Sequence, residues 1–418
     1  INMQIEKITR QGYAATLSKE VLWDIYKSMK TQRLLEDRLL KMYKGGQLSG
    51  AVYPGIGQEA CMAGIAAGMD SKDIFGGTHR DLGVQIKKGV TLKEIALNFF
   101  GKNDGPSKGR DGNSHFGVVD KGTLMVVSPL PDSAPVAVGW ALASQQSGTG
   151  VVAVANCGEG ATATGTWHES VNMAAVLNLP VVFTVQNNQF AYSSPNDTEF
   201  GTPNVADRAA GYGIPAKIID GNDIYEVIDV VHESCENARN GNGPSLIELV
   251  TFRHYGHAGH DPAEYVNDEV REFWMKRDPI LRFEDALLQE GLFTNEQFVS
   301  LSEDLEAEIK ETIDWAKNQE DPEPKNEELD MFAERTEPKI ENRKIPKIIN
   351  WKIKNLTIGK SKNWNGTIWS VMVSLSIYGS VDHQWFRNCP GITNRLRPLA
   401  VPRLSEHLFP IARTITKP

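Results

Sequence analysis

Between residues 151 and 250, short apolar runs alternate with stretches long enough for helices, and this alternation restricts the fold more than any other feature. Residues 151–155, 181–185, 214–219 and 246–250 each have the length and β-branched content of a strand. Helices are expected after Asp132, from Ala161 through Leu177 behind Gly158-Glu159-Gly160, and over residues 224–238. Strands joined through helices cannot form hairpins; the crossover makes them parallel and places helices on both faces. An α/β fold is therefore predicted, with a doubly wound, mostly parallel sheet. Ligands of such sheets bind beyond the carboxyl ends of the strands, and Glu159 and Asn188 stand just past two of those ends.

The flanks fit the same plan. Residues 18–43 read as a helix, with Ser18 as its N-cap and Gly45 just past its end. Residues 294–318 are acidic and helical, with Leu301, Leu305, Ile309 and Ile313 on one face, as expected of a solvated helix capping the domain. A length of 418 residues with 40% hydrophobic content is enough to bury one large core or two ordinary ones. The formal charge of −9 argues against general nucleic-acid binding. No run approaches the roughly 20 apolar residues of a membrane span, so no membrane association is expected. The opening INMQIEKITR has no apolar core, and no secretory signal is expected. Cys61, Cys157, Cys235 and Cys389 lie far apart without paired spacing, which points to a reducing, cytoplasmic setting.

Charge is unevenly spread. Residues 343–418 contain 13 Lys or Arg against two acids, Asp382 and Glu406, a net of +11 in a chain whose total is −9. The same stretch holds Trp351, Trp364, Trp369 and Trp385 and shows no sustained period. A boundary is expected near the polar, Pro-containing residues 321–347. It divides a domain over 1–335 from an atypical tail over 336–418, whose composition suits a truncated or out-of-frame end.

The segment from Asn156 to Tyr192 carries the chemistry. Two glycines allow a tight turn and close approach of backbone to a ligand, and a helix opening behind the turn presents free N–H groups to an anion. Glu159 would repel a phosphate there unless a cation lies between them; magnesium takes carboxylate or amide oxygens together with phosphate oxygens. Asn188, at the next strand end, can supply an amide oxygen to the same ion. A second reading is open, because residues 158–163 satisfy G-x-G-x-x-A, the nicotinamide-dinucleotide fingerprint. That fingerprint needs an acid at the end of the second strand, where this chain has Gln186-Asn187-Asn188.

Gly-acid-Gly, a 26-residue spacer and Asn-Asn resembles the thiamine-diphosphate motif, with the spacing of alpha subunits of 2-oxo acid dehydrogenase first components. GIGQEA at 55–60, GGTHRDLG at 76–83, GRDGNSHFG at 109–117 and SPL at 128–130 agree in order. So do GYGIP at 211–215, DGND at 220–223 and TFRHYGHAGHDP at 251–262, over about residues 20–330 in all. The resemblance implies a thiamine-diphosphate-binding fold. It implies Glu159, the side chain of Asn188 and the carbonyl of Phe190 as Mg2+ ligands, with Gly158, Gly160 and Ala161 cradling the diphosphate. It pairs Arg80 with a phosphate oxygen and assigns Ser128 and Leu130 to the loop supporting the thiamine rings. His79 stands where tyrosine is usual, and Gln186 where many relatives carry a charged residue. Glu at position 159 resembles the branched-chain enzymes, whereas His168-Glu169-Ser170 looks more like acetoin or pyruvate dehydrogenases.

Arg253, His254, His257, His260 and Asp261 form the densest polar cluster. On spacing alone, His-x-x-His-x-x-His suits zinc or iron, or is a polar loop with unrelated histidines. The resemblance instead has Arg253 hold the loop or a phosphate and brings His257 to the thiazolium, where a neutral imidazole can move protons. His115 is a second candidate catalytic residue on the same ground. The implied activity is oxidative decarboxylation of a 2-oxo acid, pyruvate or branched-chain, with the acyl group passed to a lipoyl-bearing acyltransferase. The activating glutamate would come from a beta subunit in an α₂β₂ assembly. An acetoin dehydrogenase alpha subunit, a non-catalytic relative and a nicotinamide oxidoreductase are the alternatives.

Overall fold

The computed structural model describes residues 6–126 and 128–324; the basic tail lies outside the described residues. Seven strands occur among them: β1 (Ile74–Gly76), β2 (Ala153–Gly158), β3 (Val181–Asn187), β4 (Phe190–Ala191), β5 (Ser194–Pro195), β6 (Ala216–Asp220) and β7 (Ser245–Val250). Five of these form one sheet in the order β1-β2-β3-β7-β6, with every pairing parallel, while β4 and β5 make a small antiparallel hairpin. The helices are α1 (Lys19–Lys44), α2 (Glu59–Gly68), α3 (Leu82–Lys87), α4 (Leu92–Phe99), α5 (Ser133–Ser147) and α6 (Gly165–Leu177) in the first half. They continue with α7 (Asn196–Glu199), α8 (Ala209–Tyr212), α9 (Ile224–Arg239), α10 (Asp268–Met275), α11 (Pro279–Gln289) and α12 (Asn295–Lys317). The expected doubly wound α/β architecture is present.

Burial on both faces explains why the central strands read as continuous apolar runs. Every residue of β3 is buried. Val181, Phe183 and Val185 point to one side, where they meet Trp167, Val171 and Ala174 of α6 and Ala134, Ala137 and Ala141 of α5. Val182 points to the other side, into a core shared with Val154, Ile247, Met62 and Ile65 of α2, and Val227 and Val231 of α9. Phe183 meets the Trp167 ring edge-on at 5.4 Å. Truncating it to alanine is expected to cost about 3–5 kcal/mol, read by denaturant unfolding.

Helix ends follow local chemistry. The Ser18 hydroxyl accepts from the Val21 N–H and starts α1, and Gly45 closes it, as expected. The acidic helix is α12; Leu305, Ile309 and Ile313 are buried on one face, and Leu301 is half-buried. One expectation was wrong: no α-helix opens at Ala161. Residues Glu159–Ala163 form a 3-10 turn, and α6 begins only at Gly165. The cause is Thr164, whose hydroxyl accepts from the Trp167 N–H at 3.3 Å and so takes the N-cap role that sets where an α-helix starts. Boundaries also shifted at β2, which starts two residues later and reaches Gly158, and at β6, which starts at Ala216. The strand β1 was not foreseen, because three residues are too few to show a period.

Candidate cofactor site

The carboxyl ends of β1, β2, β3 and β7 all open on one side, and the turns leaving them surround a cavity of about 310 Å³. From β1 come Thr78, His79 and Arg80; from β2, Gly158, Glu159, Gly160 and Ala161. From β3 come Gln186, Asn188 and Phe190, and the loop after β7 adds His257; Leu130, ahead of α5, closes one side. Eleven of the fourteen residues singled out from the sequence thus line one cavity. Ser128, His115 and Arg253 are not in its wall. His115 bridges Asp111 (3.2 Å) and Ser128 (3.1 Å). Arg253 sits behind the wall, donating to the carbonyl of Tyr192 at 2.7 Å and to the Tyr265 hydroxyl at 3.3 Å.

Glu159 is almost completely buried, and the Asn188 N–H donates to its Oε2 at 3.2 Å, so the two side chains share one corner. Burial pushes the carboxyl up to about 6; the backbone N–H groups of Glu159 and Asn188 and the charges of Arg253 and Arg80 offset its lost hydration only in part. Gly160 is required by packing: a Cβ there would lie 2.4 Å from the Ala191 Cβ of β4. A Cβ at Gly158 would meet nothing within 4 Å, leaving that side of the turn open for a ligand.

The opposite wall is built from imidazoles. Arg80 donates to the carbonyls of Pro54 (3.1 Å) and His257 (3.0 Å), and to His257 Nδ1 (3.2 Å). A guanidinium can only donate, so Nδ1 is the acceptor and the His257 hydrogen resides on Nε2. Burial, with the positive field of Arg80 and Arg253, pushes the His257 pKa down to about 3 and keeps the ring neutral. The same causes hold His79 well below the usual histidine range. Asp261 fixes the loop, accepting from the His257 N–H at 2.6 Å and the Tyr265 hydroxyl at 2.7 Å.

The three histidines of the 254–260 run part company. The His254 side chain is buried with its Nδ1 3.7 Å from Asp278, His257 enters the cavity, and His260 faces the Tyr192 hydroxyl at 3.3 Å. Among the described residues, no three His, Cys, Asp or Glu side chains are arranged to hold a metal, which removes the zinc or iron reading. Magnesium needs no such cluster: one carboxylate, an amide or backbone carbonyl and phosphate oxygens complete its shell.

Sequence reasoning did not single out Gln58, Thr78, Asn156, Cys157, Thr164, Ala191 and Tyr192, which also line the cavity. Gln58 was within reach, since it lies in the quoted GIGQEA segment. Tyr192 was not, because its place on the wall depends on a positive φ of 57° and on its ring lying 4.6 Å from His257.

The chain with this cavity at the carboxyl edge of a parallel sheet belongs to the dehydrogenase E1 component family, whose model matches residues 26–325. Particular relatives narrow the class to its alpha-type subunits. The alpha subunit of acetoin:2,6-dichlorophenolindophenol oxidoreductase from Bacillus subtilis is 37% identical over 77% of this chain and 95% of its own length. Its Cupriavidus necator namesake is 34% identical over 78% of this chain and 98% of its own length. The alpha subunit of 2-oxoisovalerate dehydrogenase from Bacillus subtilis is 34% identical over 74% and 94%.

The residues present fit thiamine diphosphate, which this family implies. Both amide atoms of Gln58 and Nε2 of His79, residues of the cavity wall, are buried without a hydrogen-bond partner, an arrangement that polar groups of a bound ligand would relieve. A diphosphate could be met by Arg80 and the Gly160–Ala161 backbone, with a cation held between it and Glu159.

Proposed function

We propose that this chain is the alpha subunit of a thiamine-diphosphate- and Mg2+-dependent 2-oxo acid dehydrogenase. It would act in the cytoplasm on pyruvate or a branched-chain 2-oxo acid and pass the acyl group to a lipoyl-bearing acyltransferase. The observation that carries this reading is the meeting of Glu159, Asn188, Arg80 and His257 around one cavity with unsatisfied polar groups in its wall. When bound, the cofactor supplies the electron sink for decarboxylation. Glu159, the Asn188 side chain and the Phe190 carbonyl would hold the metal, and Arg80 with the Gly160–Ala161 backbone would hold the diphosphate. His257 offers an Nε2–H donor and can hold or return a proton at that atom. Residues 1–335 are assigned to the cofactor-binding domain.

Glu159 is the only carboxylate among the lining residues, so the acid that activates the cofactor must come from elsewhere. This supports a beta subunit and an α₂β₂ assembly. The outer faces of α5 and α6 suit such a partner: Val136, Trp140, Met173, Val176 and Leu177 are exposed there. A second reading, an acetoin dehydrogenase alpha subunit, is favoured by the names of two of the relatives.

The test is calorimetric titration of thiamine diphosphate, with and without Mg2+, into this chain alone and with a cognate beta subunit. Assays with pyruvate, branched-chain 2-oxo acids and acetoin complete it. Mg2+-dependent binding with turnover of a 2-oxo acid is expected. Turnover of acetoin alone would shift the assignment to the second reading, and absence of binding with the partner present would overturn both.

A further inference from the structure

Asp81 occupies the N-cap of α3 yet makes no capping hydrogen bond, although aspartate is among the strongest N-cap formers. Its carboxylate is turned the other way, under the cavity floor, and is 1% exposed. Oδ2 accepts from the Thr78 N–H at 2.6 Å and from Asn156 Nδ2 at 2.8 Å, while Oδ1 accepts from Gln186 Nε2 at 2.7 Å. One side chain thereby ties together the carboxyl-terminal parts of β1, β2 and β3, because Thr78 follows β1, Asn156 and Gln186 lie in the last half of β2 and β3, and all three line the cavity.

The chemistry of the three donors decides which way the amides face. An ionised carboxylate accepts only, so both Asn156 and Gln186 must present NH₂ to it. The carbonyl oxygen of Asn156 is already used by the Thr184 hydroxyl at 2.8 Å. That of Gln186 remains for the cavity, which Gln186 lines. The same carboxylate holds the Thr78–Arg80 turn, and that turn carries His79 and Arg80 to the wall.

We propose that Asp81 is a positioning residue of the cofactor site: it locks Gln186 with its carbonyl oxygen toward the cavity, as an acceptor for a donor on the bound cofactor, and anchors the turn bearing His79 and Arg80. This rests on the cofactor reading above. Polarity, not mere filling of space, is what the floor requires. In Asp81→Asn the new amide can still accept from Thr78 and Asn156 but must donate to position 186. Gln186 then turns its NH₂ toward the ligand. The fold keeps its hydrogen bonds while the cavity receives a donor in place of an acceptor.

Titrating Mg2+ and thiamine diphosphate into the assembled alpha and beta subunits, alongside melting of the ligand-free variants, tests the proposal. Asp81→Asn should melt close to the wild type yet bind about 10–100-fold more weakly, the usual scale for losing a group that orients a ligand-binding side chain. Gln186→Glu alone should also bind weakly, since it sets two carboxylates face to face. The double variant Asp81→Asn/Gln186→Glu restores a donor–acceptor pair with an acceptor toward the cavity, and its affinity should recover above that of either single variant. A role confined to stability would move the melting temperature and not produce this reciprocal rescue. Unchanged affinity in Asp81→Asn, or a double variant no better than the singles, would overturn the proposal while the cofactor reading stood. A wild-type enzyme that bound no cofactor would overturn both.

Discussion

The segment from β2 to the β4–β5 hairpin and the loop after β7 both carry functional-looking residues, yet they behave differently in space. Glu159 and Asn188, 29 positions apart, share one corner of the cavity with the Asn188 N–H on the Glu159 carboxylate. His254, His257 and His260, three positions apart each, diverge to Asp278, the cavity and Tyr192. Adjacent parallel strands impose convergence: β2 and β3 pair residue for residue from Ala153↔Val181 to Gly158↔Gln186, so the turns leaving the two strands must emerge side by side. A loop imposes nothing of the kind. Sequence spacing is informative when a regular element carries it.

The largest expected effect tests the converging side. Glu159→Ala should lower Mg2+-dependent thiamine diphosphate affinity by about 100-fold or more, because it removes the only carboxylate of the wall; calorimetry reads it directly. The diverging side is sharpened by comparing histidines. His257→Asn should reduce kcat of the assembled enzyme by about 10²–10⁴, the range of a lost proton-transfer group. His260→Asn, outside the cavity, should leave kcat nearly unchanged. Equal losses at both positions would break the comparison.

A smaller effect is expected at Gly160. Adding a methyl 2.4 Å from the Ala191 Cβ should cost about 1–3 kcal/mol in denaturant unfolding and push the hairpin away from the phosphate turn. The smallest effect is in pH dependence. His257 is held neutral, with a pKa of about 3 against an ordinary 6.5, so the unfolded chain takes up a proton that the folded one refuses. Its contribution is complete above 6.5 and declines as pH falls from 6.5 toward 3. The Glu159 carboxyl, raised to about 6, acts in the opposite sense, so the wild-type slope is a balance. Melting temperatures of ligand-free wild type and His257→Asn should therefore converge on acidification, as the wild type loses the advantage of its neutral imidazole. Parallel curves would show that His257 has no such role.

Much of the fold was legible. The central strands and their crossover helices announced themselves because burial on both faces demands unbroken apolar runs, as in β3. The onset of α6 was misplaced, since Gly158-Glu159-Gly160 looked like a helix entrance while Thr164 supplied the better cap. For the site, the residues on strand ends were readable. Tyr192, whose place depends on a left-handed backbone and its contact with His257, was not, because no local pattern marks a residue whose importance comes from its packing neighbours.

By itself the sequence determined the α/β class, the parallel order of burial and the residue types at the strand ends, because hydrophobic period and turn chemistry are local properties of the chain. Only the tertiary structure decided which imidazole reaches the cavity, which tautomer Arg80 imposes on it, and which way Asp81 turns the amide of Gln186. Those outcomes depend on hydrogen bonds between residues up to 177 positions apart. No local pattern encodes them, for each exists only once the sheet has brought its strand ends together.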